Sequence, residues 1–394
     1  MKAYIDFYSR EQIIPVQQKI TPQHFKRRGH LYRELGCSPL LFKGKDVLEI
    51  GPGTGDNAVV TASFQPKNYE LWDGNDASVS VLNQKIKSGL IPTGSVRKID
   101  VMSDEFIQDD KVFDIVITEG ASAQEDPKEF FNRIALKVNP SNGILIITCM
   151  SSLSWLSEML RRAWYPALSR IDRDDAIQSG TQIFDSHLSH LIGRSRSTPD
   201  WILDSIFNPI PKTFSFDLSD MLSIASLHGL EFLSSSSPKF FEDLDWYKIF
   251  GASKSSKPYN EKVLNQWKSK RICLLDTRIT PADLANLGHT SKDLANSIDI
   301  YTQSISEIFS EMYEENNLSK NLSALKSSIQ SIVLVLSDHQ CFPYTAQSLR
   351  DYTMAIDELI IDENIYADVK SFASFWGRGQ QYISFSKHCS LYSG

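Results

Sequence analysis

A glycine-rich stretch near the N-terminus constrains the fold of this 394-residue chain more than any other feature. The segment Asp46-Val-Leu-Glu-Ile-Gly-Pro-Gly-Thr-Gly55 predicts a buried strand that runs into a tight turn, with a helix to follow. Gly51, Gly53 and Gly55 allow the backbone to turn sharply and to approach a ligand more closely than a side chain would permit. The stretch therefore predicts an α/β fold with a ligand site at the turn.

The spacing of these glycines excludes two common nucleotide-binding motifs. The dinucleotide fingerprint G-x-G-x-x-G needs glycine at position 56, where this chain has Asp56. A phosphate-binding P-loop needs Lys and then Ser or Thr after its last glycine, and neither follows Gly55. The remaining pattern is E-x-G-x-G-x-G, which begins at Glu49. The second expected strand ends in Asp73, and a carboxylate there suits hydrogen bonds to both hydroxyls of an unphosphorylated ribose.

This glycine pattern and the following acid resemble motif I and the next acidic residue of the class I S-adenosylmethionine (SAM) methyltransferases. The resemblance implies a Rossmann-like seven-stranded sheet whose last strand is antiparallel and lies beside the fifth, with SAM as the cofactor. It also implies which residues contact each part of SAM. These are Glu49, Gly51, Gly53 and Gly55 with their neighbours Pro52 and Thr54 at the methionine part, Asp73 at the ribose, Gly74 and Asn75 beside the adenine, Asp100 and Val101 at the adenine edge, and Glu119 and Gly120 at the methyl group. Pro52 departs from the family pattern, which often has Ala, Cys or another small residue there.

A narrower resemblance involves residues 31–55 and 199–209. Both segments are similar to bacterial methyltransferases associated with surface-polysaccharide or other small-molecule biosynthesis. The resemblance implies methyl transfer to an oxygen or nitrogen atom of a small-molecule or glycan-type acceptor, by in-line displacement assisted by a general base.

The rest of the chain alternates in a way that favours strands and helices in turn. Five strands are expected at about 46–50, 69–73, 95–99, 112–118 and 142–148, and the continuous apolar runs in the last two are typical of strands buried on both faces. Residues 170–215 look polar and irregular. Residues 260–370 look helical, with a capped helix at Thr280-Pro281 and an apolar stripe from Leu294 to Met312.

The C-terminal segment alternates like a strand, far from the first α/β block. The resemblance implies that residues 379–387 return to complete the sheet, so that the helical block is an insertion between strands six and seven. The predicted division is a helical cap at 1–44, a SAM-binding core at 45–238, a helical insertion at 239–372 and a closing segment at 373–394. Residues 251–258 are expected to form a linker.

Composition limits the kinds of partner. The net charge of −7 counts against indiscriminate nucleic-acid binding, which depends on neutralising phosphates. No apolar run approaches the ~18 residues needed to span a bilayer, and no secretory signal is visible. Five scattered cysteines without a C-x-x-C pair indicate reduced thiols in a cytoplasm and no zinc site.

Catalytic and acceptor-binding residues are less constrained by the sequence. His187 is a candidate general base, since histidine titrates near neutral pH, and Glu119 is a second catalytic candidate. Arg28, His190 and Arg194 are candidates for binding an acceptor that carries phosphate or carboxylate. The alternatives are a core histidine at His187 and solvated charges at the arginines.

Three hypotheses about function are compatible with the sequence. The first is a methyltransferase acting on a small-molecule or glycan acceptor, and the second is a methyltransferase acting on tRNA or protein. The absence of an aromatic and basic RNA-binding module disfavours tRNA. The third is a catalytically idle SAM-fold subunit that uses the helical insertion as an interface, in a homodimer or a larger assembly.

Overall fold

The computed structural model describes residues 20–120, 126–191, 193, 194, 196–208, 216–236, 257–314, 318–359 and 370–387. The chain forms two compact units. Unit 1 comprises residues 1–150, 215–267 and 380–394, and unit 2 comprises residues 151–214 and 268–379. Compactness thus groups residues 151–214 with the helical block, whereas the sequence-based division assigned them to the core. The boundaries near residues 44, 238 and 372 stay a prediction.

Unit 1 contains a seven-stranded sheet among its described residues, in the order β3-β2-β1-β4-β5-β7-β6. The strands are β1 Asp46–Ile50, β2 Asn68–Asp73, β3 Gly94–Lys98, β4 Ile115–Thr118, β5 Ile144–Cys149, β6 Leu230–Ser235 and β7 Gln381–Lys387. Strands β1 to β5 pair in parallel, and β7 pairs antiparallel with both β5 and β6. This confirms the predicted Rossmann-like methyltransferase sheet, in which the last strand is antiparallel and lies beside the fifth.

The helices follow in chain order. They are α1 Pro22–Glu34, α2 Asp56–Ala62, α3 Asp76–Lys87, α4 Asp104–Gln108, α5 Pro127–Ala135, α6 Ser152–Arg161, α7 Tyr165–Leu168, α8 Arg173–Ser189, α9 Thr198–Trp201, α10 Leu218–Leu227, α11 Lys257–Lys270, α12 Pro281–Leu287, α13 Thr290–Glu314, α14 Leu318–Asp338, α15 Pro343–Leu359 and α16 Lys370–Ala373. The helices from α11 to α16 lie between β6 and β7, so the predicted helical insertion between strands six and seven is confirmed. Helix α9 continues as a π-helical turn to Ile206.

The centre of the sheet is apolar because its strands are covered on both faces. Every residue of β4 is buried, as the continuous apolar run predicts. On one face the rings of Tyr32 and Phe42 pack edge to face, with centroids 5.0 Å apart. The hydroxyl groups of Ser384 and Ser234 donate to the last carbonyls of α1, at Leu35 (2.7 Å) and at Glu34 (2.7 Å). These bonds fix the C-terminal end of α1 on the sheet.

Two predictions of local structure were wrong. The described residues between 170 and 208 are not irregular throughout, because α8 occupies Arg173–Ser189 with an N-cap at Asp172. Its buried positions recur every three or four residues, but polar residues on the other face conceal that period in the sequence. Strand β4 begins at Ile115 rather than at residue 112, since Phe113 forms only an isolated bridge with Val138.

The regular secondary structure in the described residues of unit 2 is helical. Thr280 and Asp283 form the capping box of α12, and Gly288 ends that helix at a φ of +54°, in agreement with the predicted caps. The predicted apolar stripe is buried on α13 at Leu294, Ile298 and Ile305. Most of the predicted linker at 251–258 lies outside the described residues. No helix in the described part of the chain is long and apolar enough to cross a membrane.

Candidate active site

The glycine turn after β1 has the backbone conformation that the sequence predicts. Gly51, Gly53 and Gly55 have φ values of +69°, +57° and +74°, in the left-handed region that side chains disfavour. A Cβ atom on Gly55 would also lie 2.5 Å from Leu82 Cδ2, whereas one on Gly51 would meet nothing within 4 Å. A side chain at Gly55 would therefore be strained by its backbone conformation and would displace Leu82, whereas the backbone at Gly51 borders open space.

Asp73 at the end of β2 is bonded to this turn. Its Oδ2 accepts a hydrogen bond from the Gly53 amide (3.0 Å), and its Oδ1 accepts one from the Asn75 amide (2.8 Å). Burial raises the pKa of Asp73 to about 6, although both amide bonds favour the ionised form. Each carboxylate oxygen can still accept a further hydrogen bond, because an oxygen of this kind has two lone pairs.

The other predicted cofactor residues follow neighbouring strands at the same edge of the sheet. The Gly51 amide donates to the Trp72 carbonyl (2.8 Å), and the Gly120 amide donates to Thr148 Oγ1 (2.9 Å). The structure brings together the turn from Gly51 through Pro52 and Thr54 to Gly55, the segment Asp73-Gly74-Asn75, the pair Asp100-Val101, and the pair Glu119-Gly120. All follow the carboxyl ends of β1 to β4, where ligands of open α/β sheets bind.

Some of these side chains have local structural tasks as well. Asn75 is the N-cap of α3, accepting from the Ala77 amide (2.8 Å). Asp100 accepts from the Met102 amide (2.8 Å), a bond that aspartates in loops often make. A ligand-binding role for both residues stays a prediction.

Glu119 is the centre of a polar network that links α1, α2 and β7. Arg28 donates to it in a bidentate pair, with Nη1 3.1 Å from Oε2 and Nη2 bonded to Oε1. Asn57 Nδ2 and the Tyr382 hydroxyl also donate to Oε2, each at 3.0 Å. Arg28 is only 4% exposed and donates to the Tyr32 hydroxyl (2.9 Å) as well. The Arg28 guanidinium thus neutralises Glu119. An acceptor-binding role for Arg28 stays a prediction.

Glu49 lies beside this network on the same face of the sheet. It is 3% exposed, and its Oε2 accepts a hydrogen bond from the Tyr69 hydroxyl. Burial and the nearby Glu119 raise the pKa of Glu49 to about 7, against the opposing effects of Tyr69 and Arg28. The site thus holds two carboxylates, the buried Glu49 and the partly buried Glu119, close to one guanidinium.

The other catalytic and acceptor candidates, which are His187, His190 and Arg194, belong to unit 2. The His187 ring is fully buried, and its Nδ1 lies 3.3 Å from Arg161 Nε. The rings of Phe184 and Phe372 contact it edge to face. These contacts are those of a core histidine and agree with the structural alternative, and the role of His187 as general base stays a prediction.

His190 is exposed at the C-terminal end of α8. Arg194 donates from Nε to the Arg196 carbonyl (2.8 Å), bonds Thr198 through Nη2 and pairs with Asp185 at 3.5 Å. These bonds organise the loop around Arg194, and binding of an acceptor by either residue stays a prediction.

Sequence reasoning missed four polar residues of unit 1, namely Tyr32, Asn57, Tyr69 and Tyr382. Tyr69 and Tyr382 occupy strand positions on the face that carries Glu49, so the two-residue period of each strand was the available signal. Asn57 follows the glycine turn directly, in the first turn of α2. No local signal connects Tyr32 with this site, because α1 reaches it only through tertiary packing.

Comparison with known proteins finds solved structures that resemble this chain at low sequence identity. No protein-family model and no curated protein matches the chain. The chain is similar to PKMT2 from Rickettsia typhi, with 13% identity over 89% of this chain and 75% of that one and a TM-score of 0.40. It is also similar to the magnesium protoporphyrin IX methyltransferase of Synechocystis PCC 6803, solved with bound S-adenosyl-L-homocysteine (SAH). The identity is 14% over 59% of this chain and 89% of that one, with a TM-score of 0.33.

A third similar structure is the N-methyltransferase NodS from Bradyrhizobium japonicum WM9 in complex with SAH. The identity is 16% over 38% of this chain and 74% of that one, with a TM-score of 0.30. At such identities and TM-scores these likenesses assign no activity, cofactor or acceptor to this chain. The functional argument therefore rests on the residues of the site itself.

Proposed function

We propose that this chain is a SAM-dependent methyltransferase that methylates an oxygen or nitrogen atom of a small-molecule or glycan-type acceptor. The observation that carries the proposal is the bond between the turn after β1 and the acid that ends β2. Three left-handed glycines bare the backbone, and the Gly53 amide holds Asp73 in place. The site thereby combines a backbone surface for a close ligand with a carboxylate for ribose hydroxyls.

The residues at this edge fit SAM in type and placement. The open space beside Gly51 suits the methionine part, and Asp73 would bind the ribose hydroxyls through its free lone pairs. Bound SAM supplies a methyl group already activated by its sulfonium. The chain itself would hold donor and acceptor in line and would keep water from the site.

The surroundings of Arg28 do not favour an anionic acceptor. That guanidinium is bonded to Glu119, Tyr32 and Tyr382, and a second carboxylate, the buried Glu49, lies nearby. A phosphate or carboxylate group would meet this negative charge at short range. The charges of unit 1 favour an acceptor that is neutral or cationic and that carries a hydroxyl or an amine.

Calorimetric titration with SAH tests the proposed cofactor. We expect binding by the wild-type protein and a loss of about 1.5–3 kcal/mol in binding free energy for Asp73→Asn, because an amide nitrogen cannot accept from a ribose hydroxyl. The control is Asp110→Asn, an exposed acid in the loop after α4, which should bind SAH like the wild type. Folded wild-type protein that does not bind SAH or SAM would contradict the proposal.

A further inference from the structure

Two carboxylates of unit 1, the buried Glu49 and the partly buried Glu119, are not balanced by an equal number of cations. We use the name carboxylate cluster for Glu49, Glu119, Arg28, Tyr32, Tyr69 and Tyr382. Arg28 is its cation, and both terminal nitrogens of that guanidinium bond Glu119. Among the described residues no salt bridge reaches Glu49, whose hydrogen-bond donor is the neutral Tyr69 hydroxyl. With both carboxylates ionised, the carboxylate cluster therefore has one negative charge in excess.

The cluster borders the proposed cofactor site at two points of the chain. Glu49 stands two residues before Gly51, and Glu119 directly precedes Gly120. Both glycines have left-handed backbones at the carboxyl ends of β1 and β4. A ligand on the glycine turn would consequently lie close to the excess charge, in surroundings that water screens poorly.

We infer that Glu49 is a specificity-determining residue, because its cluster has one carboxylate in excess. Glu49 favours the cationic cofactor SAM over the neutral product SAH, and it couples SAM binding to the release of one proton. This inference rests on the proposed function. SAM carries a sulfonium that SAH lacks, so SAM has one more positive charge. A cation near Glu49 stabilises the ionised form of that carboxylate, whereas SAH offers no such charge.

The groups that face Glu49 raise or lower its pKa, and their combined effect agrees with the direction of this coupling. They are Tyr69 on β2, Tyr32 and Arg28 on α1, and Glu119 after β4. Because the pKa of Glu49 in the free protein is about 7, a fraction of the molecules carries a protonated Glu49 at neutral pH. Binding of a cation lowers that pKa, so the proton leaves and SAM affinity increases as pH rises through 7. Asp73, with a pKa of about 6, would contact the ribose that SAM and SAH share, so its titration would cancel in the ratio of the two affinities.

The test is calorimetry of SAM and SAH with the full chain, at pH 7 in two buffers of different ionisation enthalpy and then from pH 6 to 8. In the wild type we expect proton release with SAM and less with SAH. The ratio of SAM to SAH affinity should rise by up to about tenfold between pH 6 and 8, the limit for one fully coupled group with this pKa. Glu49→Gln should bind both ligands without the proton release and without the change in ratio.

The matched control is Glu70→Gln. Glu70 lies on the neighbouring strand β2 but on the opposite face, where it bonds Trp72 and Lys111, so the linkage should remain. A second variant, Tyr69→Phe, removes a hydrogen bond that favours ionised Glu49. It should move the midpoint of the change in the affinity ratio to higher pH, and it serves as the test even if Glu49→Gln does not fold.

Equal proton release with SAM and SAH, or unchanged release in a folded Glu49→Gln, would overturn the inference while leaving the proposed function intact. Failure of either ligand to bind would instead contradict the proposed function.

Discussion

At the scale of single residues, the partners of a side chain decide its role more than its type does. Arg28 and His187 were both chosen from the sequence for chemistry that their types perform well. In the structure Arg28 neutralises Glu119, and His187 bonds Arg161 within an apolar core. Asp73 differs, because its position at a strand end follows from local sequence and its bond to the turn leaves it oriented for a ligand.

A structural role for His187 predicts a loss of stability on truncation. His187→Ala removes a fully buried ring and the acceptor for Arg161 Nε, and we expect the free energy of unfolding to fall by about 2–4 kcal/mol. The control is His190→Ala, an exposed residue at the end of the same helix, which should change stability by less than about 0.5 kcal/mol. Urea denaturation of both variants checks this. Equal stability of the two variants would contradict a structural role for His187.

At the scale of elements, the side chain of Asn260 satisfies backbone groups of the edge strand β6. Asn260 on α11 accepts from the Phe232 amide (3.0 Å) and donates to the Leu230 carbonyl (2.9 Å), so its amide group replaces a peptide unit of a neighbouring strand. It also donates to Ser226 Oγ (3.0 Å) on α10. Asn260 therefore joins two helices to β6 and satisfies backbone groups on a strand edge.

Truncation of the Asn260 side chain should lower the stability of the protein. Asn260→Ala leaves a buried amide and a buried carbonyl without this partner, and we expect a loss of about 2–4 kcal/mol in the free energy of unfolding. The control is Asn83→Ala on α3, an exposed asparagine that also bonds a backbone carbonyl, at Val79, and should cost less than about 1 kcal/mol. Chemical denaturation measures both. A similar small cost at the two positions would mean that α11 does not support β6 through Asn260.

At the scale of the whole molecule, the sheet of unit 1 depends on a strand from the far end of the sequence. Strand β7 pairs with both β5 and β6, and it buries Ile383 and Phe385. It also carries Tyr382, whose hydroxyl donates to Glu119. Loss of β7 would separate β6 from the other strands and open the site from one side.

Removal of the residues from Gly377 onward should therefore give insoluble or molten protein, because it uncovers two strand edges and part of the core. The comparison is full-length Tyr382→Phe, which keeps β7 but removes the hydroxyl group from Glu119 and should stay soluble. Soluble yield and cooperative unfolding are the measurements. A soluble truncated chain that binds SAH normally would show that β7 is dispensable.

The sequence by itself determined the features that depend on neighbouring residues. The strand, the turn of three glycines and the acid at the end of β2 follow from local backbone chemistry and strand period, and so do the caps of α12. The helix α8 was missed because its exposed polar face conceals the period that burial imposes.

Only the tertiary structure decided which charges meet. Arg28 and Glu119 are 91 positions apart in the chain, and Glu119 and Tyr382 are 263 apart. A glycine turn is defined by the torsion angles of adjacent residues, whereas an ion pair requires distant segments to pack on the same face of a sheet. For that reason the position of the proposed cofactor site could be predicted from the sequence, but its excess carboxylate and the role of Glu49 could not.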